Sequence, residues 1–274
     1  MTSPREAARP AAATDGARAA ALPDGPPPGT DVWLIGLDAG RGPGPAAGDL
    51  DPVERRRARD FRDPVAARRF TTAHAVTRAL LGGYLGVPGH TLRWVAGPHG
   101  KPVFQGEHRA WRWNVSRSGA HALLAVSRTS AVGVDLERVG TTTPAAALAA
   151  RFLPADEAAR VAARTAAGHA GGRTVYHQLL SRKEACVKAV GGRLLDGLRL
   201  PVLSPGPVVG GGAYHGVRWH LRDLPAPRGF VAALATTGAP AGPLRLFTWR
   251  PGDGTGRAAR HGPSFPAEPR PGRP

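Results

Sequence analysis

The clearest chemical signal in the sequence is a pair of carboxylates, Asp135 and Glu137, at the end of the apolar segment 131–136. The segment predicts a half-buried strand, and residues two apart on a strand project from the same face, about 7 Å apart. Two like charges on one face repel each other, and a divalent cation that prefers oxygen ligands relieves the repulsion. The spacing therefore favours a metal site. The alternative is a strand end in solvent, with Asp135 as a cap and Glu137 paired with Arg138.

A second group of charged residues lies in the otherwise apolar segment 179–190. Glu184 and Lys188 are four residues apart, so on a helix they share one face. Such a pair is often a surface ion pair, but the apolar neighbours predict that much of this helix is buried and that the pair lies at a cleft. A third carboxylate and an ammonium group placed there could serve a metal ion and a phosphate.

Lysine is rare in this chain and falls only in this segment and in the Gly-Lys-Pro sequence at residues 100–102. Of 37 basic residues, three are lysines, Lys101, Lys183 and Lys188, and the sole asparagine is Asn114. An ammonium group is a compact point charge that suits a phosphate, and the planar guanidinium group is not a simple substitute for it. We expect that lysine is required at these positions.

The formal net charge of +17 comes from arginines spread along the whole chain, so much of it is compositional background. The denser group within residues 55–78 predicts a basic face that meets phosphates or an acidic protein, or a solvated helix surface. A nucleic-acid-binding protein would place base-stacking aromatic residues there. The two aromatic residues present, Phe61 and Phe70, are at core positions, which disfavours that function. One cysteine, Cys186, excludes an intrachain disulfide and a multi-cysteine metal cage.

Helices and strands in two successive groups must position these side chains. The patterns predict strands at 32–37, 92–95, 102–105, 111–115, 122–127, 131–136, 217–221, 230–235 and 244–249, and helices opening at Asp51, over 64–85 and over 174–190. A helical region between them is interrupted at Pro154 and at 168–172. Residues 1–30 and 251–274 are rich in Ala, Pro and Gly, and we expect them to be disordered tails. No apolar run could span a membrane and the N-terminus lacks a leader pattern, so we expect a cytoplasmic protein.

Four short motifs together resemble the 4′-phosphopantetheinyl transferases. Residues 133–137 (Gly-Val-Asp-Leu-Glu) and 181–188 (Ser-Arg-Lys-Glu-Ala-Cys-Val-Lys) are similar to the paired signature of the family. Residues 100–102 (Gly-Lys-Pro) and 114–119 (Asn-Val-Ser-Arg-Ser-Gly) are similar to the G-K-P loop and the N-[IV]-S-H-S-G turn of its larger, surfactin- and enterobactin-type branch. Two positions depart from the pattern: Arg117 replaces the family histidine, and Leu180 replaces an aromatic residue.

The resemblance implies an α+β fold of two similar α/β halves, 31–139 and 140–250, related by a pseudo-twofold axis, with the active site at their interface. It implies transfer of the 4′-phosphopantetheinyl group from coenzyme A to a serine of an apo carrier protein. The carriers would be acyl or peptidyl carrier proteins of fatty-acid, polyketide or nonribosomal-peptide synthases, with a role in secondary metabolite biosynthesis. A monomer would suffice, with no nucleic acid or membrane as partner.

The resemblance also implies a role for each motif residue. Asp135 and Glu137 would hold Mg²⁺ or Mn²⁺, Glu184 would be the third ligand or the general base, and Lys188 would neutralise the pyrophosphate. The implied coenzyme contacts are Arg57, Arg69, Gly100, Lys101, Pro102, Ser116 and Arg117. Arg117 can still donate to a phosphate but does not titrate, so we expect an altered pH profile. A coenzyme-A-binding homologue without transfer activity is one alternative, and a basic nucleic-acid-binding protein is the other.

Overall fold

The computed structural model describes residues 29–38, 49–239 and 242–249. These residues form ten β-strands and six α-helices. In chain order they are β1 (Thr30–Gly36), α1 (Pro52–Arg59), α2 (Pro64–Leu85), β2 (Val95–Ala96), β3 (Pro102–Val103), β4 (Arg112–Ser118), β5 (His121–Ser127), β6 (Val132–Arg138), α3 (Ala145–Phe152), α4 (Ala155–Ala166), α5 (His169–Ala189), α6 (Leu194–Gly197), β7 (Gly206–Val209), β8 (Arg218–Leu224), β9 (Phe230–Thr237) and β10 (Leu244–Trp249).

The strands pair into two four-stranded sheets and one small ribbon. The first sheet has the order β10-β1-β5-β4, in which β1 runs parallel to β10 and antiparallel to β5. The second sheet has the order β6-β9-β8-β7 and is antiparallel throughout. Strands β2 and β3 form the ribbon. Helices and strands are thus mixed but largely segregated along the chain, which confirms the predicted α+β class.

Each sheet is covered by one long helix. Helix α2 packs against the first sheet through a core that includes Val76, Leu80, Trp33 and Trp113. Helix α5 packs across β6 and β9 in the second sheet and carries Leu179 and Val187 into a separate core. Both helices therefore have a buried face, as their apolar stripes predict.

The helix starts follow their sequence signals closely. At the start of α1, Asp51 Oδ1 accepts a hydrogen bond from the backbone N–H of Glu54 at 2.8 Å, and the Glu54 side chain accepts one from the backbone N–H of Asp51 at 3.1 Å. This is a complete capping box. Asp63 caps α2 in a similar way, with Pro64 in the first turn. The predicted bounds of α2 are confirmed.

The predicted interruption at 168–172 is present but shorter than predicted: α4 ends at Ala166, α5 begins at His169, and α5 runs through Gly171 and Gly172. A Cβ atom at position 172 would lie 2.0 Å from Thr165 Oγ1 in α4. The glycine therefore permits the close packing of two helices and does not break the second one. The sequence also gave no prediction of α6 and β7, which are only four residues long.

The sheet pairings do not follow a division of the chain at residue 140. Strand β6 lies in the second sheet although it precedes that position, and β10 returns to the first sheet at the end of the chain. The two predicted halves and their pseudo-twofold relation stay predictions. Most of the predicted tails, 1–28 and 250–274, lies outside the described residues, but Thr30 is buried in β1 and is not part of a tail. None of the described helices has the length and hydropathy to cross a membrane.

Candidate active site

Strands β4 and β6 lie in different sheets and are joined by side chains of β4. Every second backbone N–H of β6, beginning with Val134, donates a hydrogen bond to a side-chain oxygen of β4. The acceptors are Asn114 Oδ1 at 2.9 Å, Ser116 Oγ at 3.3 Å and Ser118 Oγ at 3.0 Å. Alternate residues of a strand point to one face, so the N-x-S-x-S pattern places one acceptor opposite every second backbone N–H of β6. These side chains position β6, and with it Asp135, against the first sheet.

Helix α5 lies unusually close to β6 at Gly133. A Cβ atom at this position would be 2.1 Å from the carbonyl oxygen of Ala185 and 2.3 Å from the backbone nitrogen of Ala189. Only glycine permits this approach. The glycine that precedes the two carboxylates in the motif therefore brings Glu184 and Lys188 of α5 next to Asp135.

Asp135 is almost fully buried, with 2% of its surface exposed. Its Oδ1 accepts hydrogen bonds from Lys188 Nζ at 2.7 Å and from Ser116 Oγ at 2.9 Å. Its Oδ2 is buried and has no hydrogen-bond partner among the described residues. Burial raises the pKa of Asp135, and the Lys188 ammonium group opposes this effect. The site thus holds a carboxylate that is only half satisfied.

Glu184 lies on α5 one turn before Lys188, and the two charged groups are 3.7 Å apart. Its Oε2 is buried and, like Asp135 Oδ2, lacks a partner among the described residues. Burial raises the pKa of Glu184, and the nearby charges of Asp135 and Glu137 raise it further, while Lys188 lowers it. The Glu137 side chain is 39% exposed, so the cluster opens to solvent on that side.

The predicted metal site at Asp135, Glu137 and Glu184 stays a prediction. In the described part of the chain, no three Asp, Glu, His or Cys side chains form a group that could hold a metal ion. Instead the Lys188 ammonium group lies between Asp135 and Glu184. Two buried carboxylate oxygens without partners, on groups whose pKa values are raised, nevertheless fit the chemistry of a bound divalent cation.

His177 is a site residue that the sequence analysis missed. Its Nε2 accepts a hydrogen bond from the backbone N–H of Gly140 at 3.1 Å, so the ring proton of the neutral side chain is on Nδ1. Nδ1 lies 3.7 Å from Glu137 Oε2, and the ring is therefore oriented toward that carboxylate. The sequence feature that could have indicated His177 is its position seven residues before Glu184, which places both side chains on one face of α5.

A second group of predicted residues surrounds Phe70 in the first half of the chain. The guanidinium groups of Arg57 and Arg117 lie 5.6 and 5.5 Å from the centre of its ring. Arg117 Nη1 is 3.3 Å from His74 Nε2, and His74 Nδ1 is 2.8 Å from Glu54. Burial lowers the pKa of Arg117, and the charge of Arg57 lowers it further. Two cations are thus held close together, and within the described ranges no carboxylate forms an ion pair with Arg117.

A pocket of about 90 Å³ adjoins this group, and its lining is mostly apolar. Its walls include His74, Trp94, Pro102, Trp113 and Arg117. Pro102 belongs to the predicted coenzyme loop. It lines the same cavity as Arg117, the residue that replaces the family histidine. An apolar cavity with a cation at its rim can take a flat ring attached to a phosphate.

Two other predicted phosphate contacts have protein partners. Arg69 donates two hydrogen bonds, of 2.6 and 2.7 Å, to the carboxylate of Asp38. Lys101 donates three, to the carbonyl oxygens of Val132, Lys188 and Ala189. Burial lowers the pKa of Lys101 to about 8, with a smaller effect from the charge of Arg112. Phosphate contacts by these two residues stay predictions and would require an exchange of partners.

Comparison with known proteins identifies one family. Residues 131–234, which include Asp135, Glu137, Glu184 and Lys188, match the model of the 4′-phosphopantetheinyl transferase superfamily. The chain is 29% identical over 226 residues to the 4′-phosphopantetheinyl transferase HetI of Nostoc sp., over 80% of this chain and 89% of that protein. It is 30% identical over 172 residues to a Synechocystis sp. protein provisionally named as a 4′-phosphopantetheinyl transferase, over 62% of this chain and 68% of that protein.

Proposed function

The chain belongs to the 4′-phosphopantetheinyl transferase superfamily and is a transferase, and on that premise we propose its donor, acceptor and metal. The donor is coenzyme A, the acceptor is a serine of an apo acyl or peptidyl carrier protein, and the reaction depends on Mg²⁺ or Mn²⁺. The observation that carries this proposal is the cluster of Asp135, Glu184 and Lys188, in which two half-satisfied buried carboxylates adjoin one ammonium group.

The chemistry of the transfer suits such a cluster. The serine hydroxyl oxygen attacks the β-phosphate of coenzyme A and forms a phosphorus–oxygen bond to the phosphopantetheinyl group. The pyrophosphate bond breaks, and 3′,5′-adenosine bisphosphate leaves. This kind of transfer needs charge neutralisation, alignment and a base for the hydroxyl proton, and it needs little covalent help. Lys188 supplies a positive charge for the pyrophosphate, because its side chain is 25% exposed and its ammonium group already lies at the cluster.

Asp135 and Glu137 are the proposed ligands of the divalent cation. The cation, when bound, neutralises charge on the pyrophosphate. Its binding next to Asp135 would give Oδ2 the partner that it lacks among the described residues. Glu184 has one of two roles, third ligand or general base. Burial raises the pKa of Glu184, which makes the carboxylate a stronger base than an exposed glutamate.

The pocket beside Arg117 is the proposed site of the nucleotide part of coenzyme A. Arg57 and Arg117 would donate to its phosphates, and Pro102 and Gly100 would contact the base. Ser116 lies between this pocket and Asp135, with its hydroxyl 2.9 Å from the carboxylate and 3.2 Å from Lys188 Nζ. Arg69 would contribute after leaving Asp38. We also propose that the protein acts as a cytoplasmic monomer on acidic carrier domains of fatty-acid, polyketide or nonribosomal-peptide synthases.

A mass measurement tests the proposal directly. The full-length protein is incubated with coenzyme A, Mg²⁺ and several apo carrier domains, and each carrier is then weighed. We expect a gain of one phosphopantetheinyl group, which Asp135→Ala abolishes and Asp156→Ala, at an exposed position on α4, leaves unchanged. If no carrier gains mass although the protein binds coenzyme A, the chain is a binding homologue without transfer activity and the proposal fails.

A further inference from the structure

Lys101 holds the two elements of the active site together at a single point. Its ammonium nitrogen lies 2.9 Å from the carbonyl oxygen of Val132 in β6, and 2.7 Å from those of Lys188 and Ala189 at the end of α5. An ammonium group has three N–H donors, and all three are used here. No donor is left for a phosphate.

We propose that Lys101 is a positioning residue that clamps α5 to β6, and that it does not bind the phosphates of coenzyme A. The inference rests on the proposed function only in taking Asp135, Glu184 and Lys188 as the active site. The clamp itself follows from the three hydrogen bonds that Lys101 donates to β6 and α5.

The end of a helix is a chemically suitable place for this contact. The last carbonyl groups of a helix lack donors within the helix, and the negative end of the helix dipole attracts a cation. Lys188 and Ala189 are the last two residues of α5. Lys101 reaches them from a loop 87 residues earlier in the chain, and at Lys188 it adds to the local hydrogen bond of 3.3 Å that the backbone N–H of Gly191 donates to the same carbonyl.

The clamp acts on the residues that carry the chemistry. Lys188 is held twice, by its carbonyl oxygen to Lys101 and by its ammonium group to Asp135 at 2.7 Å. Val132 begins the strand that carries Asp135. Gly133 brings β6 and α5 close together, and the clamp fixes the end of α5 on the strand. A loss of the clamp would let this end shift and would change the distance between Lys188 and Asp135.

The choice of lysine in a chain rich in arginine fits this role. Three carbonyl oxygens converge on one nitrogen atom, which matches the three donors of an ammonium group. A planar guanidinium group spreads its donors over three nitrogen atoms and cannot converge on one point. Arg193 Nε contacts His99 at 3.2 Å at the same junction, where no such convergence exists.

The first experiment observes the ammonium group itself. The full-length protein has three lysines, so a spectrum of ¹⁵N-labelled lysine side chains holds at most three ammonium signals, which Lys→Arg variants assign. In the free protein at pH 6 we expect a sharp, slowly exchanging signal from Lys101. A signal lost to rapid exchange with water would overturn the clamp, whether or not the protein transfers anything.

The second experiment separates the clamp from a phosphate contact. Adenosine 3′,5′-bisphosphate is added to protein labelled with ¹³C at the lysine ε carbon. We expect the signal of Lys188 to move and that of Lys101 to stay. A Lys101 shift as large as that of Lys188 would contradict the inference. If no signal moves, the proposed function is in question, and the exchange measurement still decides on the clamp.

Variant kinetics give the functional readout. Lys101→Met keeps the apolar stem and removes the donors, and we expect about a tenfold fall in kcat with less than about a twofold change in the KM for coenzyme A. Lys101→Arg should not restore kcat. Arg193→Met, which removes a neighbouring cation from the same junction, is the matched control and should leave both constants near those of the wild type. A large rise in KM with unchanged kcat would identify Lys101 as a phosphate ligand.

Discussion

Glu54 and Asp135 are buried carboxylates that lie next to cations, and their surroundings differ in one respect. Glu54 receives hydrogen bonds from Arg78 at 2.5 Å, His74 at 2.8 Å and the backbone of Asp51 at 3.1 Å. Burial opposes ionisation of Glu54, but these donors outweigh it and lower its pKa to about 2. Asp135 has one oxygen without a partner among the described residues, and burial raises its pKa.

The difference separates a structural cluster from a functional one. Around Glu54 the buried charges are satisfied, and the Arg78 guanidinium group also lies 4.2 Å from the ring of Trp94. Such a network holds α1, α2 and the following loop in place. Around Asp135 the charge is kept buried although it is only partly satisfied, which is expected where a ligand completes the site. The following predictions test this contrast, beginning with the largest effect.

Asp135→Asn should lower transfer activity by at least about a hundredfold, because the amide cannot replace a carboxylate as a metal ligand. The same change should alter the free energy of unfolding by no more than about 1 kcal/mol, because Lys188 is partly exposed and can reach solvent. Carrier mass analysis and urea unfolding measure the two effects. A variant that transfers at the wild-type rate, or that loses much more than about 1 kcal/mol of unfolding free energy, would show that Asp135 has a structural role like that of Glu54.

Glu54→Gln should show the reverse pattern. The lowered pKa of Glu54 corresponds to roughly 3 kcal/mol of stability at pH 7, and the amide loses this contribution. Urea unfolding measures the loss, and transfer should be retained under conditions in which the variant is folded. Asp60→Asn, at an exposed position after α1, is the control. An unchanged free energy of unfolding would show that the Glu54 network adds no stability.

The stability that comes from Glu54 should depend on pH in a defined direction. Because the pKa is lowered in the folded protein, the unfolded state binds more protons between pH 4.5 and about 2. The contribution is therefore complete above pH 4.5 and is lost as the pH falls toward 2. The difference in unfolding free energy between wild type and Glu54→Gln should shrink over this interval. A difference that stays constant would mean that the ionised carboxylate is not its source.

The β4 side chains that accept hydrogen bonds from β6 should contribute to the free energy of unfolding according to how buried those hydrogen bonds are. Asn114→Ala leaves the buried backbone N–H of Val134 without an acceptor and should cost about 2 kcal/mol. Ser118→Ala, which removes the exposed acceptor of Arg138, should cost about 0.5 kcal/mol. Urea unfolding of the two variants measures the gradient. Equal losses would show that the sheets are joined by apolar packing and not by these hydrogen bonds.

The smallest effect is expected from Arg117→His, which restores the family residue. The wild-type guanidinium group does not titrate in the working range, whereas a histidine with an ordinary pKa of about 6.5 does. The KM for coenzyme A should become pH-dependent between about pH 5.5 and 7.5 in the variant. A parallel pH profile for the two proteins would remove residue 117 from the phosphate site.

The local structure of this protein was largely predictable. The Asp51 capping box, the apolar stripe of α2 and the apolar run of β6 each depend on residues within a few positions of one another, and the structure confirms these elements. The family resemblance also depended on short motifs, and the comparisons confirm it. Within 168–172 the predicted break is confirmed at Gly168 and wrong at Gly172, because a glycine that permits close helix packing has the same sequence signal as one that ends a helix.

The sequence alone determined which residues are candidates for the chemistry, because rare residue types and short spacings are properties of the chain. Only the tertiary structure decided what those residues contact. It placed Lys101 on the end of α5, His177 beside Glu137, and Lys188 against Asp135. Each of these contacts joins elements far apart in the chain, and their geometry is set by sheet pairing and helix packing. For the metal site predicted at Asp135, the structure added the surroundings: a buried carboxylate, half satisfied, beside an ammonium group.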